Sequence, residues 1–192
     1  MAQERHTVKA GEKLELQFVV LPGESRDIDV HVDLTGPGAE VHLKGLYLSA
    51  TDEKVNFRIL IHHLVPGCKS TQFVCGIAGG QARATFAGRI VVDQDAQKTE
   101  AFQTNRNILL SDSARIETHP ELEIYADDVQ CSHGATIGYL SEEERFYMRS
   151  RGIPESEAKV LQMISFLAPV VDGMLDREAL METIEKSLRT MV

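Results

Sequence analysis

Apolar and polar residues alternate along most of the first two thirds of the chain. Ile28, Val30, Val32 and Leu34 interleave with Asp29, His31 and Asp33, the period of two expected of a strand with one buried face. Leu14, Leu16 and Phe18 repeat the pattern, and Val55, Phe57, Ile59 and Ile61 carry it further with Asn56 and Arg58 turned outward. Further strands are predicted over Thr71 to Ile77, Ala82 to Val92, Asn107 to Leu110 and Glu121 to Tyr125.

Turn-forming residues punctuate these strands at nearly even intervals: Pro22-Gly23, Gly36-Pro37-Gly38, Thr51-Asp52, Pro66-Gly67, Gly79-Gly80, Asp93 to Asp95, Ser111-Asp112-Ser113 and Asp127-Asp128. Evenly spaced strands without intervening helices mean a sandwich, a barrel or a β-solenoid. Small residues within strands, such as Ala82, Ala84 and Gly88, suit close stacking of successive coils and favour the solenoid. Spacing alone does not choose among the three.

The period changes near Ser141. Ser141-Glu142-Glu143-Glu144 reads as a capping box opening a helix to about Ser150, with Gly152 closing it and Pro154 starting the next. In that second helix Val160, Ile164, Leu167 and Val171 share one face, and Pro169 is expected to kink or end it. A third segment, Arg177 to Thr190, puts Leu180, Ile184 and Leu188 four residues apart. The expected architecture is mainly β, with a β-body over 1–140 and a C-terminal helical tail over 141–192.

Composition narrows the class. The 192 residues are 43% hydrophobic and 26% charged, as in a globular protein with room for one sizeable core. No apolar run reaches the roughly 18–20 residues needed to cross a bilayer. The opening Met1-Ala2-Gln3-Glu4-Arg5-His6 has no apolar stretch of the kind a secretory signal carries, so a cytoplasmic location is expected. A formal net charge of −9 argues against nucleic acid or an anionic membrane as partner. The cluster of Arg145, Arg149 and Arg151 reads first as a solvated helix face. Three widely spaced cysteines, Cys68, Cys75 and Cys131, give neither a disulfide framework nor a four-cysteine zinc site, and fit free thiols in a reducing compartment.

Several ordered strings carry a resemblance. They are Asp95-Ala96-Gln97-Lys98-Thr99, Gln103-Thr104-Asn105-Arg106-Asn107-Ile108-Leu109-Leu110-Ser111, and Pro120 to Val129 running into Cys131-Ser132-His133-Gly134-Ala135-Thr136. Phe146-Tyr147-Met148-Arg149-Ser150-Arg151-Gly152-Ile153 follows, and Gly36-Pro37-Gly38-Ala39-Glu40 with Leu46-Tyr47-Leu48 extends a weaker match upstream. Together they resemble the SufB/SufD family of iron–sulfur cluster assembly proteins, in its SufD-like form. The resemblance implies a right-handed β-helix followed by C-terminal helices. It implies pairing through the β-helices, with a SufB-type subunit or a second copy of itself, and docking of a SufC-type ABC ATPase on the helical tail. Phe146, Tyr147, Arg149 and Arg151 are the tail residues it assigns to partner binding. A transient iron–sulfur cluster is the cofactor it implies, and no catalytic residue of its own. Gly134 stands where SufB-type members carry a carboxylate. Full-length members have further coils and a helical region upstream, so the segment associated with desulfurase contact is expected to be absent.

Cys131 and His133 are the candidate ligands. Residues i and i+2 of a strand point to one face, roughly 6.5–7 Å apart at Cα, so a thiolate and an imidazole can converge on one iron. Two ligands do not hold a cluster, so a second subunit across a dimer interface would complete the site. The plainer reading is a buried cysteine beside a hydrogen-bonded structural histidine, with Asp127 and Asp128 disfavouring the thiolate. His63 shares the face of Ile59 and Ile61 and reads as a core histidine, His62 as its outward neighbour. Cys68 and Cys75 read as small core residues. Gln103 to Asn107 is either a binding loop or, preferred, a stacked polar ladder. Asp127 and Asp128 read as a turn rather than a catalytic dyad. No phosphate loop, nucleophile elbow or zinc-protease motif is present.

Three readings result: a non-enzymatic assembly subunit, a truncated structural homo-oligomer with the fold and no cluster chemistry, and a metal-dependent enzyme on a β-barrel. The first is preferred.

Overall fold

The structure, a computed structural model, describes residues 4–192. Met1, Ala2 and Gln3, which open the stretch read above for a targeting signal, lie outside the described residues. Ten strands precede three helices: β1 Glu4–Val8, β2 Lys13–Val20, β3 Arg26–Leu34, β4 Glu40–Ser49, β5 Lys54–His63, β6 Lys69–Ala78, β7 Arg83–Val92, β8 Glu100–Leu109, β9 Arg115–Ile124, β10 Gln130–Gly138, α1 Glu142–Ser150, α2 Glu155–Val171 and α3 Arg177–Arg189.

Odd strands form one five-stranded parallel sheet, β1-β3-β5-β7-β9, and even strands the other, β2-β4-β6-β8-β10. The chain thus passes back and forth between two facing sheets and climbs one storey per pair of strands. This is a parallel β-solenoid, as expected, and the barrel is excluded because each sheet keeps two open edges. Asn56 donates to Asp27 29 residues earlier, and Gln103 to Gln72 31 residues earlier, so a coil is close to thirty residues throughout.

The alternation read from sequence becomes an interior of inward-facing residues. Val30, Val32, Leu34, Val41, Leu43, Phe57, Ile59, Ile61 and Val74 are all buried between the sheets. Phe57 stands edge-on to Phe18, ring centres 6.4 Å apart, and tilted against Tyr47 at 6.3 Å. Tight corners let the coils stack. Gly80 has φ +55°, and a Cβ there would meet Thr51 O at 2.4 Å.

Four strands depart from expectation. β1 was not foreseen. β4 gave no alternating signal because both faces are covered: Leu43 points inward while Leu46 and Leu48 are buried beneath helices. β8 begins at Glu100 rather than Asn107 because its inward residues Gln103, Asn105 and Asn107 are polar, which reverses the usual pattern. β9 begins at Arg115 and takes in Pro120, which an edge strand tolerates.

The tail follows its periodicity. Ser141 Oγ accepts from the Glu144 amide, half of the capping box; the Glu144 carboxylate instead accepts from Gln162 at 2.8 Å. Gly152, at φ +86°, ends α1, and α2 stops two residues after Pro169. Val160, Met163, Leu167 and Val171 of α2 with Ile184 and Leu188 of α3 pack against Leu46, Leu48, Cys75, Ile77 and Ile108 on the outer face of the even sheet. The outer face of the odd sheet instead carries charge ladders such as Arg89 to Glu121 at 2.8 Å.

Candidate functional site

The solenoid's last storey is formed by β9 and β10, the edge strands of their sheets. Inward positions there continue buried columns but have nothing stacked beyond them. Ile116 follows Ala84, Leu122 follows Ile90 and Ile124 follows Val92; Cys131 follows Ala101, His133 follows Gln103 and Ile137 follows Asn107. Ile124 and Ile137 are 39% and 43% exposed, although their predecessors in the same columns are buried.

Cys131 and His133 sit on the same face of β10, as parity requires. Cys131 is half-buried against the small cluster of Ile90, Val92, Ala96, Ala101 and Ala126. Burial pushes its thiol upward, tempered by a hydrogen bond from the Ala101 backbone. Asp127 and Asp128 do not enter this shift; they occupy the bend between β9 and β10, the turn read from sequence. A protonated, half-covered thiol binds a soft cation with loss of its proton. His133 is exposed and makes no hydrogen bond among the described residues, so it is not the satisfied structural histidine of the plainer reading.

The remaining candidates settle into structural roles. His63 is fully buried with Nε2 2.9 Å from Ser70 Oγ, and burial lowers its pKa to about 4. His62 faces outward, 2.8 Å from Asp93 Oδ1. Cys68 is buried with its thiol on Gly36 O at 3.3 Å. Cys75 lies under α2, and burial pushes its thiol up to about 12. Gln103, Asn105 and Asn107 form the inward polar ladder: Asn105 donates to Val74 O, Asn107 to Asn105 Oδ1, and Tyr47 to Asn107 Oδ1 at 2.8 Å. Thr104 and Arg106 alternate outward, Arg106 lying 5.3 Å over the Phe166 ring.

On α1, Phe146 and Tyr147 are 74% and 60% exposed. Arg149 pairs with Glu155 at 2.9 Å, Arg145 with Glu142, and the Arg151 guanidinium lies 5.3 Å from the Tyr147 ring centre. These pairings dissolve the basic patch into a mixed-charge face. A groove of about 510 Å³ runs between α1 and α2, lined by Tyr147, Met148, Leu161 and Gln162 among others.

No group of three or more His, Cys, Asp or Glu side chains among the described residues converges as a metal site. The apolar open-end residues Ile124 and Ile137 escaped the sequence reading, since nothing in a strand's own pattern says that no further coil stacks on it.

Together these features define a class: a two-sheeted parallel β-solenoid with a thiol–imidazole pair on an uncovered terminal coil and helices strapped along one flank. Residues 1–166 match the model of the SUF system FeS cluster assembly SufBD core domain, and the chain belongs to the SufB/SufD family. It is 38% identical over 143 residues to the iron–sulfur cluster assembly protein SufD of Escherichia coli, covering 74% of this chain and 34% of that protein. It is 32% identical over 181 residues to a SufBD family protein of Mycobacterium leprae, covering 88% and 46%. With SufD of Bacillus subtilis it shares 31% over 160 residues, covering 83% and 36%. The chain thus spans less than half the length of each of these relatives.

Proposed function

We propose that this protein is a non-enzymatic, SufD-like subunit of an iron–sulfur cluster assembly scaffold. It pairs through the terminal coil of its solenoid, with a SufB-type subunit or a second copy, and docks a SufC-type ATPase on its helical tail. The observation that carries this is the uncovered β9–β10 coil, which exposes apolar side chains from buried columns together with Cys131 and His133. An open parallel edge with apolar side chains is a pairing surface. A partner brought there can add the ligands that one chain lacks, and a cluster under assembly is then cargo held between two subunits. Free cysteines in all three positions agree with a reducing compartment such as the cytoplasm. No helix is long and apolar enough to cross a membrane among the described residues. The exposed Phe146 and Tyr147 beside the α1–α2 groove, flanked by Arg149 and Arg151, supply the tail's docking face.

The test is anaerobic reconstitution with iron and sulfide in the presence of a SufB-type partner. The Cys131→Ala, His133→Ala double variant is expected to lose most of the visible absorbance that the wild type gains. Equal absorbance in both would transfer the reading to the structural homo-oligomer.

A further inference from the structure

Because coils stack in register, one interior position recurs storey after storey. The position held by Leu43 in β4 is held by Gln72 in β6, Gln103 in β8 and His133 in β10. Both glutamines are shut inside the coil. Room for the Gln103 amide comes from the opposite sheet, where a Cβ on Gly88 would lie 1.9 Å from Gln103 Nε2.

That amide is half used. Gln103 Nε2 donates to Gln72 Oε1 at 3.2 Å, which turns its nitrogen back toward β6. The oxygen of the same amide lies about 120° away from the nitrogen on their shared carbon, so the bond to Gln72 leaves it unused. Gln103 Oε1 is buried and has no hydrogen-bond partner. A buried acceptor left without a donor is costly and is a rarity in folded proteins. His133 is the register partner of Gln103 on the neighbouring strand, backbones about 4.8 Å apart, and its ring makes no hydrogen bond among the described residues.

We propose that Gln103 is a positioning residue for His133. When the His133 side chain turns toward the coil interior, that unused amide oxygen accepts from Nδ1–H, holding the ring in that tautomer and leaving Nε2 free at the open end of the coil. A ligating imidazole is commonly oriented by such a bond from its second nitrogen. The purpose of the arrangement rests on the ligand role proposed above; its geometry does not.

The tautomer is read directly, without metal, by long-range ¹H–¹⁵N correlation on the full chain labelled with ¹⁵N-histidine, above the pH at which histidines titrate. His133→Ala identifies the signal. The expected wild-type pattern is Nδ1–H, with a through-space contact between the ring and the Gln103 side chain. Gln103→Met, similar in length, should convert the signal to mainly Nε2–H, the form free imidazole prefers in water. Gln72→Met removes an equally buried amide one coil further in and should leave the tautomer unchanged. An Nε2–H wild type, or the same change in both variants, overturns the proposal; should Gln103→Met fail to fold, the wild-type tautomer and contact decide it alone. A Gln103-dependent tautomer with undiminished reconstitution in His133→Ala would sink the ligand role and leave this one standing. Lost reconstitution with an Nε2–H wild type would do the reverse.

Discussion

His63 is shut inside the coil with one nitrogen on Ser70 and the other without a partner. Desolvation holds its pKa near 4, against about 6.5 in the unfolded chain. A group whose folded pKa is depressed in this way resists protonation until well below its unfolded value. Its contribution to stability is therefore complete above about pH 6.5 and is lost as pH falls toward 4, by up to about 3 kcal/mol. Asp33, whose carboxyl is held low by Arg5 and His31 against its own partial burial, loses its contribution only at more acid pH. Urea unfolding between pH 7.5 and pH 5 should show wild-type stability falling by about 2 kcal/mol from this residue. His63→Gln, which keeps a donor for Ser70, should flatten that slope; an unchanged slope would refute the account. The inward place of His63 was legible from its parity with Ile59 and Ile61. The solitude of His133 was not, because the missing neighbour is a whole strand rather than a residue.

Among the elements, α2 shows how tightly the tail is bound to the β-body. Leu167 is fully buried against the even sheet, and Cys75 lies in the same apolar cluster. Leu167→Ala should cost roughly 2–5 kcal/mol of docking energy. The consequence is measurable at Cys75: thiol labelling followed by peptide mass spectrometry should accelerate at least tenfold there, about 1.4 kcal/mol of easier opening, while Cys68 stays protected. Equal protection of Cys75 in both proteins would mean that α2 does not shield it. The elements also show where sequence reading succeeds. β3 and β5 face the core on one side only, so their alternation is clean. β4 is covered on both sides and lost its alternation. β8 carries amides inside, where hydrophobicity gives no signal, and only the stretch Asn107 to Leu110, which runs one residue past its end, stood out. The helical tail was legible nearly to the residue, because one apolar stripe on a polar helix has a single way to dock.

At the scale of the whole molecule, the two ends of the even sheet differ. The terminal coil leaves Ile137 exposed in a column whose earlier members are buried. Ile137→Lys places a charge on this edge and should abolish pairing while leaving the fold intact. Sedimentation should then show a species of 21.3 kDa where the wild type, alone or with a SufB-type partner, forms a heavier complex. A wild type that stays at the single-chain mass in both conditions would remove the terminal coil as the pairing surface.

The helices that cover the even sheet bridge strands from successive coils, since Leu46 and Leu48 of β4, Cys75 and Ile77 of β6 and Ile108 of β8 meet in one cluster beneath them. Stacked repeats ordinarily come apart one unit at a time from either end, each held only by its neighbours. A brace across three of them ties their fates together, so the shaft of this protein melts as a block. The strand carrying Cys131 and His133 contributes nothing to that braced cluster. It therefore frays independently of the braced block, and whatever seats against it lends the tip an order that the brace does not supply.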